Sequence, residues 1–298
     1  MACENGHLEV VRALIYGGAA VDLPNYDGVT PLMLAVENGH DEVVELLVEC
    51  GARMDLTDKE GKTALAKALQ ARRTDVVAKF LMNGASVDNQ GSGGLSALID
   101  ACKVGQLDAV QVILGYRGKM ELADENGITP LMWAAVNGQT AVVQLLLKSG
   151  SLIDSTDKNG WTALMFASSG GQTQVVLLLL KNGADVRKQL PNGVTALGIA
   201  CENGHVNVVR AFVDAVVESG GSVDDSDKNG WTALMTASRF GHLNLTAMGR
   251  ECAEPAFKWC NSFRDCVRER SRLTIKLLEL TFVLVWLSIE RPTTVTAP

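Results

Sequence analysis

The chain has 298 residues, of which 47% are hydrophobic, and this apolar content excludes an intrinsically disordered protein. Its net charge of −7 argues against a generic nucleic-acid binder and against a polybasic membrane-surface binder. The seven cysteines are too sparse for a disulfide scaffold and residues 1–7 lack signal-peptide features, so we expect a reducing compartment. The 29 glycines, against only 7 Phe, 5 Trp and 3 Tyr, indicate turns at regular intervals.

One short pattern, Gly-x-Thr-x-Leu-x-x-Ala, recurs along the chain from residue 28 to residue 237. Its third position is always threonine or serine, and the spacing is 33 residues for five steps and 37 residues for the last. The residues at this position are Thr30, Thr63, Ser96, Thr129, Thr162, Thr195 and Thr232. A fixed period of this length is the sequence signature of a repeat protein.

Each repeat predicts the same order of elements. An Asn-Gly or Asp-Gly pair, as at residues 27–28 and 126–127, favours a tight hairpin turn. The threonine that follows is a typical helix N-cap, and a first helix then runs to a stop glycine such as Gly39. A second helix follows and is more apolar, as in residues 175–180. Because so apolar a helix must be covered on more than one side, we expect neighbouring repeats to stack into a solenoid.

The period and the Thr-Pro-Leu strings at residues 30–32 and 129–131 resemble ankyrin repeats, and the resemblance covers roughly residues 1–245. It implies an all-α fold, a solenoid of paired antiparallel helices with hairpin turns. Methionine replaces the family's usual histidine in four repeats. These residues are Met33, Met132, Met165 and Met235. The strings Gly-Trp-Thr-Ala-Leu-Met at 160–165 and 230–235 are also similar to diplomonad ankyrin-only proteins and to the ankyrin tails of NEK-like kinases.

The repeats define an array over residues 1–247, about seven and a half units of which the first and last are incomplete. Residues 2–7 match residues 200–205 one for one, so the first unit lacks its turn and the start of its first helix. This end is either a frayed, sticky end of the stack or the start of a fragment of a longer protein. The seventh repeat, counting the partial unit as the first, carries four extra residues before Gly220. Four residues are close to one helical turn, so we expect a longer second helix with an unrotated apolar face.

Residues 248–298 form a predicted non-repeat tail, irregular or helical, that holds one of the 29 glycines but three of the seven cysteines. The tail is a structured cap, a membrane-associating segment or the product of a shifted reading frame, and its composition favours a poorly integrated tail. Its apolar run at residues 280–289 is shorter than the roughly 20 residues that a membrane-spanning helix needs. We therefore expect no membrane span, and favour a helix that packs back on the last repeat.

The recurring polar residues are predicted to be structural. All four histidines occupy one position, directly after the stop glycine, and glutamine takes that position in three other repeats. This exchange indicates a hydrogen-bonding role and not a metal ligand. Aspartates recur in the turns, where a carboxylate is a turn residue before it is an acid catalyst. Since no set of nucleophile, base and orienting group is found, we expect no catalytic residue, no cofactor, no metal site and no enzymatic activity.

Two sets of residues are candidates for binding a partner, since the resemblance implies that hairpin tips and first helices line a concave face. The aromatic set is Trp133, Trp161, Phe166, Trp231, Arg239 and Phe240. Trp and Arg are enriched in interface hot spots, and the alternative is that these rings cover the hairpins and pack between repeats. The basic set is Lys59, Lys62, Lys67, Arg72 and Arg73. It predicts an acidic partner, and the alternative is a solvated face.

The sequence thus predicts a scaffold or adaptor that binds a protein partner of unknown identity on the concave face. The alternative is the targeting or regulatory part of a larger ankyrin-tailed protein, for example a NEK-like kinase. We expect a cytoplasmic or cytoskeleton-associated array that is monomeric and binds no nucleic acid.

Overall fold

The computed structural model describes residues 1–218 and 223–240, and these ranges contain fourteen α-helices and no β-strand. Extended pairing within them consists of single bridges, each closing one hairpin. The pairs are Thr57 with Thr63, Gln90 with Ser96, Gln189 with Thr195 and Ser226 with Thr232. The expected all-α solenoid of helix pairs and hairpin turns is therefore confirmed. The predicted tail at 248–298 and the end of the array at 241–247 lie outside the described residues.

Each first helix begins directly after the threonine or serine of the repeat pattern. The hydroxyl oxygen of that residue accepts a hydrogen bond from the backbone N–H three residues later, at 3.2–3.4 Å in all seven repeats. These bonds confirm the predicted N-caps, and each cap contributes about 1 kcal/mol. The first helices are α2 (Pro31–Glu37), α4 (Ala64–Gln70), α6 (Ala97–Val104), α8 (Pro130–Val136), α10 (Ala163–Ser169), α12 (Ala196–Glu202) and α14 (Ala233–Phe240).

The second helices carry the longer apolar runs. They are α1 (Leu8–Tyr16), α3 (Asp41–Glu49), α5 (Thr74–Met82), α7 (Leu107–Gly115), α9 (Thr140–Lys148), α11 (Thr173–Lys181) and α13 (Val206–Glu218). In α11, Val175, Val176 and Leu179 are buried while Leu177 is 44% exposed, so one side of the helix faces the stack. The helix α13 has 13 residues where the other six have nine, which confirms the expected lengthening by four.

The chain divides into two compact units, residues 1–199 and 200–298. In the first unit, α2, α4, α6, α8 and α10 contact one another in series, and α5, α7, α9 and α11 form a second layer in the same order. Side chains such as Phe80, Ile113 and Leu146 are fully buried in this unit. The core of residues 1–199 is therefore a strip that continues from repeat to repeat.

In the second unit, the described residues comprise the end of α12, the helix α13 and the helix α14. Val208, Val209 and Phe212 of α13 are buried, as are Ala233 and Ala237 of α14. Leu234 of α14 is buried as well, so both helices of this unit contribute apolar side chains to its core. Among the described helices of both units, none combines the length and apolarity that crossing a bilayer requires.

A hydrogen bond between repeats starts from the position that histidine and glutamine share. His40 Nε2 donates to the carbonyl oxygen of Glu4 at 2.8 Å, and Gln172 Nε2 donates to that of Val136 at 3.2 Å. Both acceptors lie in the preceding repeat, so the predicted hydrogen-bonding role is confirmed. To make this bond, the side chain of Gln172 lies close to the backbone of the preceding repeat. A Cβ added to Gly138 would lie only 2.3 Å from Oε1 of Gln172, so glycine is needed there.

The stop glycine before this position has a positive φ, for example 77° at Gly39. In the third repeat the same position is Arg72, whose φ is 56°. A side chain in this left-handed region costs roughly 1–2 kcal/mol, because its Cβ crowds the following carbonyl oxygen. The third repeat therefore contains a local strain that the other repeats avoid with glycine.

Replacing this residue with glycine, Arg72→Gly, should stabilise the protein by about 0.5–1 kcal/mol, since relief of strain exceeds the entropy that glycine adds to the unfolded chain. Thermal or urea unfolding measures the change. The matched control is Gly39→Ala, where the new Cβ would meet only Nη1 of Arg73 at 3.6 Å. This control should destabilise by a similar amount, and an Arg72→Gly variant no more stable than wild type would contradict the assignment of strain.

Candidate partner-binding surface

An aspartate organises the hairpin in four repeats. Oδ1 of Asp58 accepts the backbone N–H groups of Glu60 at 2.9 Å and of Lys62 at 2.8 Å. The same pair of bonds is made by Asp124, Asp157 and Asp227. The recurring carboxylate is thus a turn residue, as the sequence predicts.

Successive hairpins of the first unit are joined backbone to backbone. The N–H of Lys59 donates to the carbonyl oxygen of Asp27 at 2.9 Å, and the N–H of Lys158 donates to that of Asn126 at 3.0 Å. Each bond joins a tip residue to the residue 32 positions earlier in the preceding repeat, so the side chains at the tips are held at a regular spacing. This row of tips and the first helices of residues 1–199 form the surface on which the candidate residues of the first unit lie.

Trp133 of the aromatic set lies half-buried on α8. Its Nε1–H donates to Oδ2 of Asp124 at 3.0 Å, in the hairpin of the same repeat. The ammonium of Lys103 from the preceding repeat lies 4.5 Å from the ring centroid. The hydrogen bond fixes the orientation of the indole, and the cation–π contact contributes roughly 0.5–2 kcal/mol.

Trp161 and Phe166 pack on each other. Their ring centroids are 5.1 Å apart with an interplanar angle of 39°. Trp161 belongs to the hairpin and Phe166 to α10, so the pair covers the base of the hairpin, and both residues are half-buried. This contact agrees with the alternative that the rings cover the hairpin. Part of each ring remains accessible to solvent. Partner binding by these residues stays a prediction.

In the second unit, Arg239 lies against two aromatic rings. Its guanidinium carbon is 5.1 Å from the centroid of Trp231 and 5.8 Å from that of Phe240. Trp231 is 39% exposed and Phe240 is 48% exposed. The structure therefore arranges the aromatic set as separate local groups: Trp133 alone, Trp161 with Phe166, and these three residues.

Lys67 of the basic set is buried between two repeats. Its ammonium lies 2.7 Å from Oε1 of Glu37 in the preceding repeat and 2.9 Å from Oδ2 of Asp58 in its own hairpin. Burial by itself lowers the pKa of Lys67, but the hydrogen bonds to Asp58 and Glu37 outweigh it, so the pKa is raised. Burial raises the pKa of Asp58, but the bonds from Lys67 and from two backbone N–H groups outweigh it and lower the pKa. The charge of Lys67 is directed into the stack and not toward a partner.

Three further members of the basic set also pair with acidic side chains. The pairs are Lys59 with Asp27 at 3.9 Å, Lys62 with Glu60 at 2.7 Å, and Arg73 with both Asp41 and Asp75. Within the described ranges, Arg72 makes no ion pair and is exposed. Much of the positive charge of the set is therefore compensated inside the chain, and its role in binding an acidic partner stays a prediction.

The sequence interpretation missed the second role of the hairpin aspartates. Asp58 binds Lys67 and Asp124 binds Trp133, in each case through Oδ2. The signal was present as a spacing, since the partner on the first helix lies nine residues after the aspartate in both repeats. The two carboxylates position candidate side chains as well as closing the turn.

Among residues 1–218 and 223–240, the buried cysteines Cys102 and Cys201 are not reactive thiolates. Burial raises the pKa of the Cys201 thiol to about 12, and burial also raises that of Cys102 well above its usual range. Cys3, Cys50, Cys102 and Cys201 are all free thiols. Over residues 1–218 and 223–240, no three His, Cys, Asp or Glu side chains come together as a group that could hold a metal ion.

The model of the ankyrin-repeat family, described as ankyrin repeats in three copies, matches residues 1–58, 47–121, 98–190 and 182–248. The chain therefore belongs to the ankyrin-repeat family. Ankyrin repeats are in general protein–protein interaction modules, and membership brings that general role to this chain.

The solved structures similar to the chain include two ankyrin repeat domains. The ankyrin repeat domain of human ASB11 is 26% identical, with a TM-score of 0.64, over 72% of this chain and 95% of that one. The ankyrin repeat domain of Bcl-3, a member of the IkappaB protein family, is 29% identical, with a TM-score of 0.63, over 73% of this chain and 99% of that one. The curated protein sequences compared with the chain include no match.

Replacing the buried ammonium, Lys67→Met, should lower the free energy of unfolding by about 2 kcal/mol, because the 3%-exposed side chain of Asp58 loses its counter-charge. Urea unfolding near neutral pH measures the change. The matched control is Lys59→Met, since Lys59 is 71% exposed and should change stability by less than about 0.5 kcal/mol.

The effect of Lys67→Met should also depend on pH with a defined sign. The folded pKa of Asp58 is depressed, so the stabilisation is complete above the ordinary aspartate value of about 3.9 and is lost as the pH falls through the lower folded pKa. The gap between wild type and variant should therefore narrow in acid. Equal losses for the Lys67 and Lys59 variants would show that the buried pair does not stabilise the stack.

Proposed function

We propose that this protein is a non-enzymatic scaffold or adaptor that binds a protein partner on a concave face formed by its hairpin tips and first helices. The observation that supports this proposal most directly is that aromatic rings such as those of Trp161 and Trp231 are partly exposed on the hairpins and first helices. Partly exposed Trp and Arg side chains held by neighbouring groups are typical of binding hot spots. The proposal includes a cytoplasmic location, a monomeric array and no nucleic-acid ligand.

The rigidity of the aromatic groups supports the proposal. Trp133 is oriented by Asp124, and Trp161 is packed on Phe166 at a centroid distance of 5.1 Å. Side chains that are already ordered lose little conformational entropy when a partner covers them, so more of the interaction energy is retained as affinity. The backbone bonds between hairpins add the same preorganisation to the tips themselves.

The arrangement of charge supports the aromatic set over the basic set as the primary contact. Lys67, Lys62 and Arg73 are already paired with carboxylates, so an acidic partner would have to compete with bonds inside the chain. Lys103 and Arg239 lie on aromatic rings and remain part of the same surfaces as those rings. The partner that fits best therefore offers apolar contacts to the rings together with acceptor groups for these two cations.

A second candidate function is the targeting or regulatory tail of a larger protein such as a NEK-like kinase. The observation that favours it is the string Gly-Trp-Thr-Ala-Leu-Met at residues 160–165 and 230–235, which is similar to such tails. Sequencing the transcript upstream of the codon for Met1 tests it. An in-frame kinase domain would support the tail, whereas an in-frame stop codon directly upstream would contradict it.

The primary proposal is tested with the double variant Trp161→Ala, Trp231→Ala of the full chain. Affinity capture with quantitative mass spectrometry should recover a protein with wild type and lose it with the variant. Against that purified protein, the variant should raise the Kd by at least about 30-fold, since a hot-spot residue contributes about 2 kcal/mol or more. The two single variants then assign the effect to residues 1–199 or to residues 200–298.

The matched control is Tyr16→Ala, an aromatic side chain that is 78% exposed on α1 and belongs to neither candidate set. It should recover the partner as wild type does. Circular dichroism must show that the double variant keeps its helical content. Equal recovery by a folded double variant would overturn the aromatic surface as the binding site.

A further inference from the structure

The fourth repeat differs from its neighbours where the hairpin meets the first helix. In the third repeat the helix residue Lys67 binds the hairpin Asp58, and in the fifth repeat Trp133 binds Asp124. The equivalent helix residue of the fourth repeat is Asp100, while its hairpin aspartate is replaced by glycine. In the fourth repeat the carboxylate is therefore on the helix and not in the hairpin. The glycine at the hairpin position has no side chain that could pair with Asp100.

Close stacking explains why the hairpin residue is glycine. A Cβ added to Gly91 would lie 2.3 Å from the carbonyl oxygen of Gly61, and a Cβ added to Gly61 would lie 2.4 Å from the backbone nitrogen of Ser92. Neither contact is with a flexible side chain, so the backbone itself would have to move. The hairpins of the third and fourth repeats therefore pack with no room for a side chain at this position.

A cavity of about 270 Å³ opens at this junction. Its lining includes Lys62, Thr63, Gln70, Asn89 and Asp100. Sites for drug-sized molecules are larger, about 300–1,000 Å³, so this cavity suits a single side chain better than a small-molecule ligand. Its walls combine the carboxylates of Glu60 and Asp100 with amide and hydroxyl groups, which accept hydrogen bonds.

Asp100 is the charged group in this cavity whose charge is least compensated. Within residues 1–218 and 223–240, no side chain donates a hydrogen bond to it and no cation forms an ion pair with it. The nearby cations have other contacts, since Lys62 lies 2.7 Å from Glu60 and Lys103 lies over the ring of Trp133. Burial raises the pKa of Asp100, although Lys103 and Lys62 partly offset this effect.

We infer that the cavity between the third and fourth repeats receives an arginine side chain of the protein partner, whose guanidinium binds Asp100. A guanidinium is planar and donates two parallel hydrogen bonds to one carboxylate, so it compensates the charge of the half-buried Asp100. The oxygen atoms of Gln70, Asn89 and Thr63, which line the same cavity, are the acceptors available to its remaining N–H groups. This inference rests on the proposed function, because it names the chemistry of one anchor of that partner.

The test needs no knowledge of the partner. N-acetyl-arginine methylamide is titrated into the full chain while the amide NMR signals of residues 91–104 are followed. We expect saturable shifts with a Kd on the order of 1–10 mM, as for a single side chain. The isostere N-acetyl-citrulline methylamide, which is uncharged, should cause no saturable shift. Asp100→Asn should weaken arginine binding about tenfold, the loss expected for one charge-assisted interaction.

The matched control is Asp108→Asn, an exposed carboxylate on the neighbouring helix α7 that does not line the cavity. It should bind the arginine compound as wild type does. Binding that is absent in wild type, equal for citrulline, or unchanged in a folded Asp100→Asn variant would overturn the inference. Because the probe is a small molecule, these outcomes are independent of whether the aromatic surface captures a protein.

Discussion

The structure depends on the fact that no repeat can cover its own apolar surface. The second helices bury residues such as Val143 and Leu146 or Val176 and Leu179. One side of each helix packs on the first helix of its own repeat, and the neighbouring repeats supply the rest of the opposing surface. Covering them requires close approach, which in turn requires glycine where the backbone of one repeat meets the side chain of the next. One example is Gln172, whose side chain donates a hydrogen bond to the carbonyl oxygen of Val136. Gln172 lies so close to Gly138 that a Cβ at this position would clash with its side chain.

The same close stacking determines what the polar side chains can do. In the third repeat it places the ammonium of Lys67 between Glu37 and Asp58, so a residue that looks like part of a basic surface becomes an internal support. In the fourth repeat it excludes a hairpin side chain at Gly91 and leaves Asp100 beside a cavity. One geometric constraint thus produces a compensated charge in one repeat and an uncompensated charge in the next.

Much of the fold could be predicted from single residues because the determining interactions are local. The cap from Thr30 to the N–H of Met33 spans three residues, and the turn bonds of Asp58 span at most four. The lengthening of α13 also followed from counting residues. The candidate surface was less predictable, since the partners of Trp133 are Asp124 in its own hairpin and Lys103 in the preceding repeat.

The sequence by itself determined the period, the helix boundaries, the caps, the turn aspartates and the membership of a stacked repeat family, because each depends on a motif that repeats in register. Only the tertiary structure decided which side chains of that motif pair within the stack and which stay exposed or unpaired. Lys67 and Asp100 occupy equivalent positions 33 residues apart, yet one is paired and the other is not. Their difference depends on the hairpin residue nine positions earlier, Asp58 or Gly91, and on Glu37, which stacking brings to Lys67 from the preceding repeat.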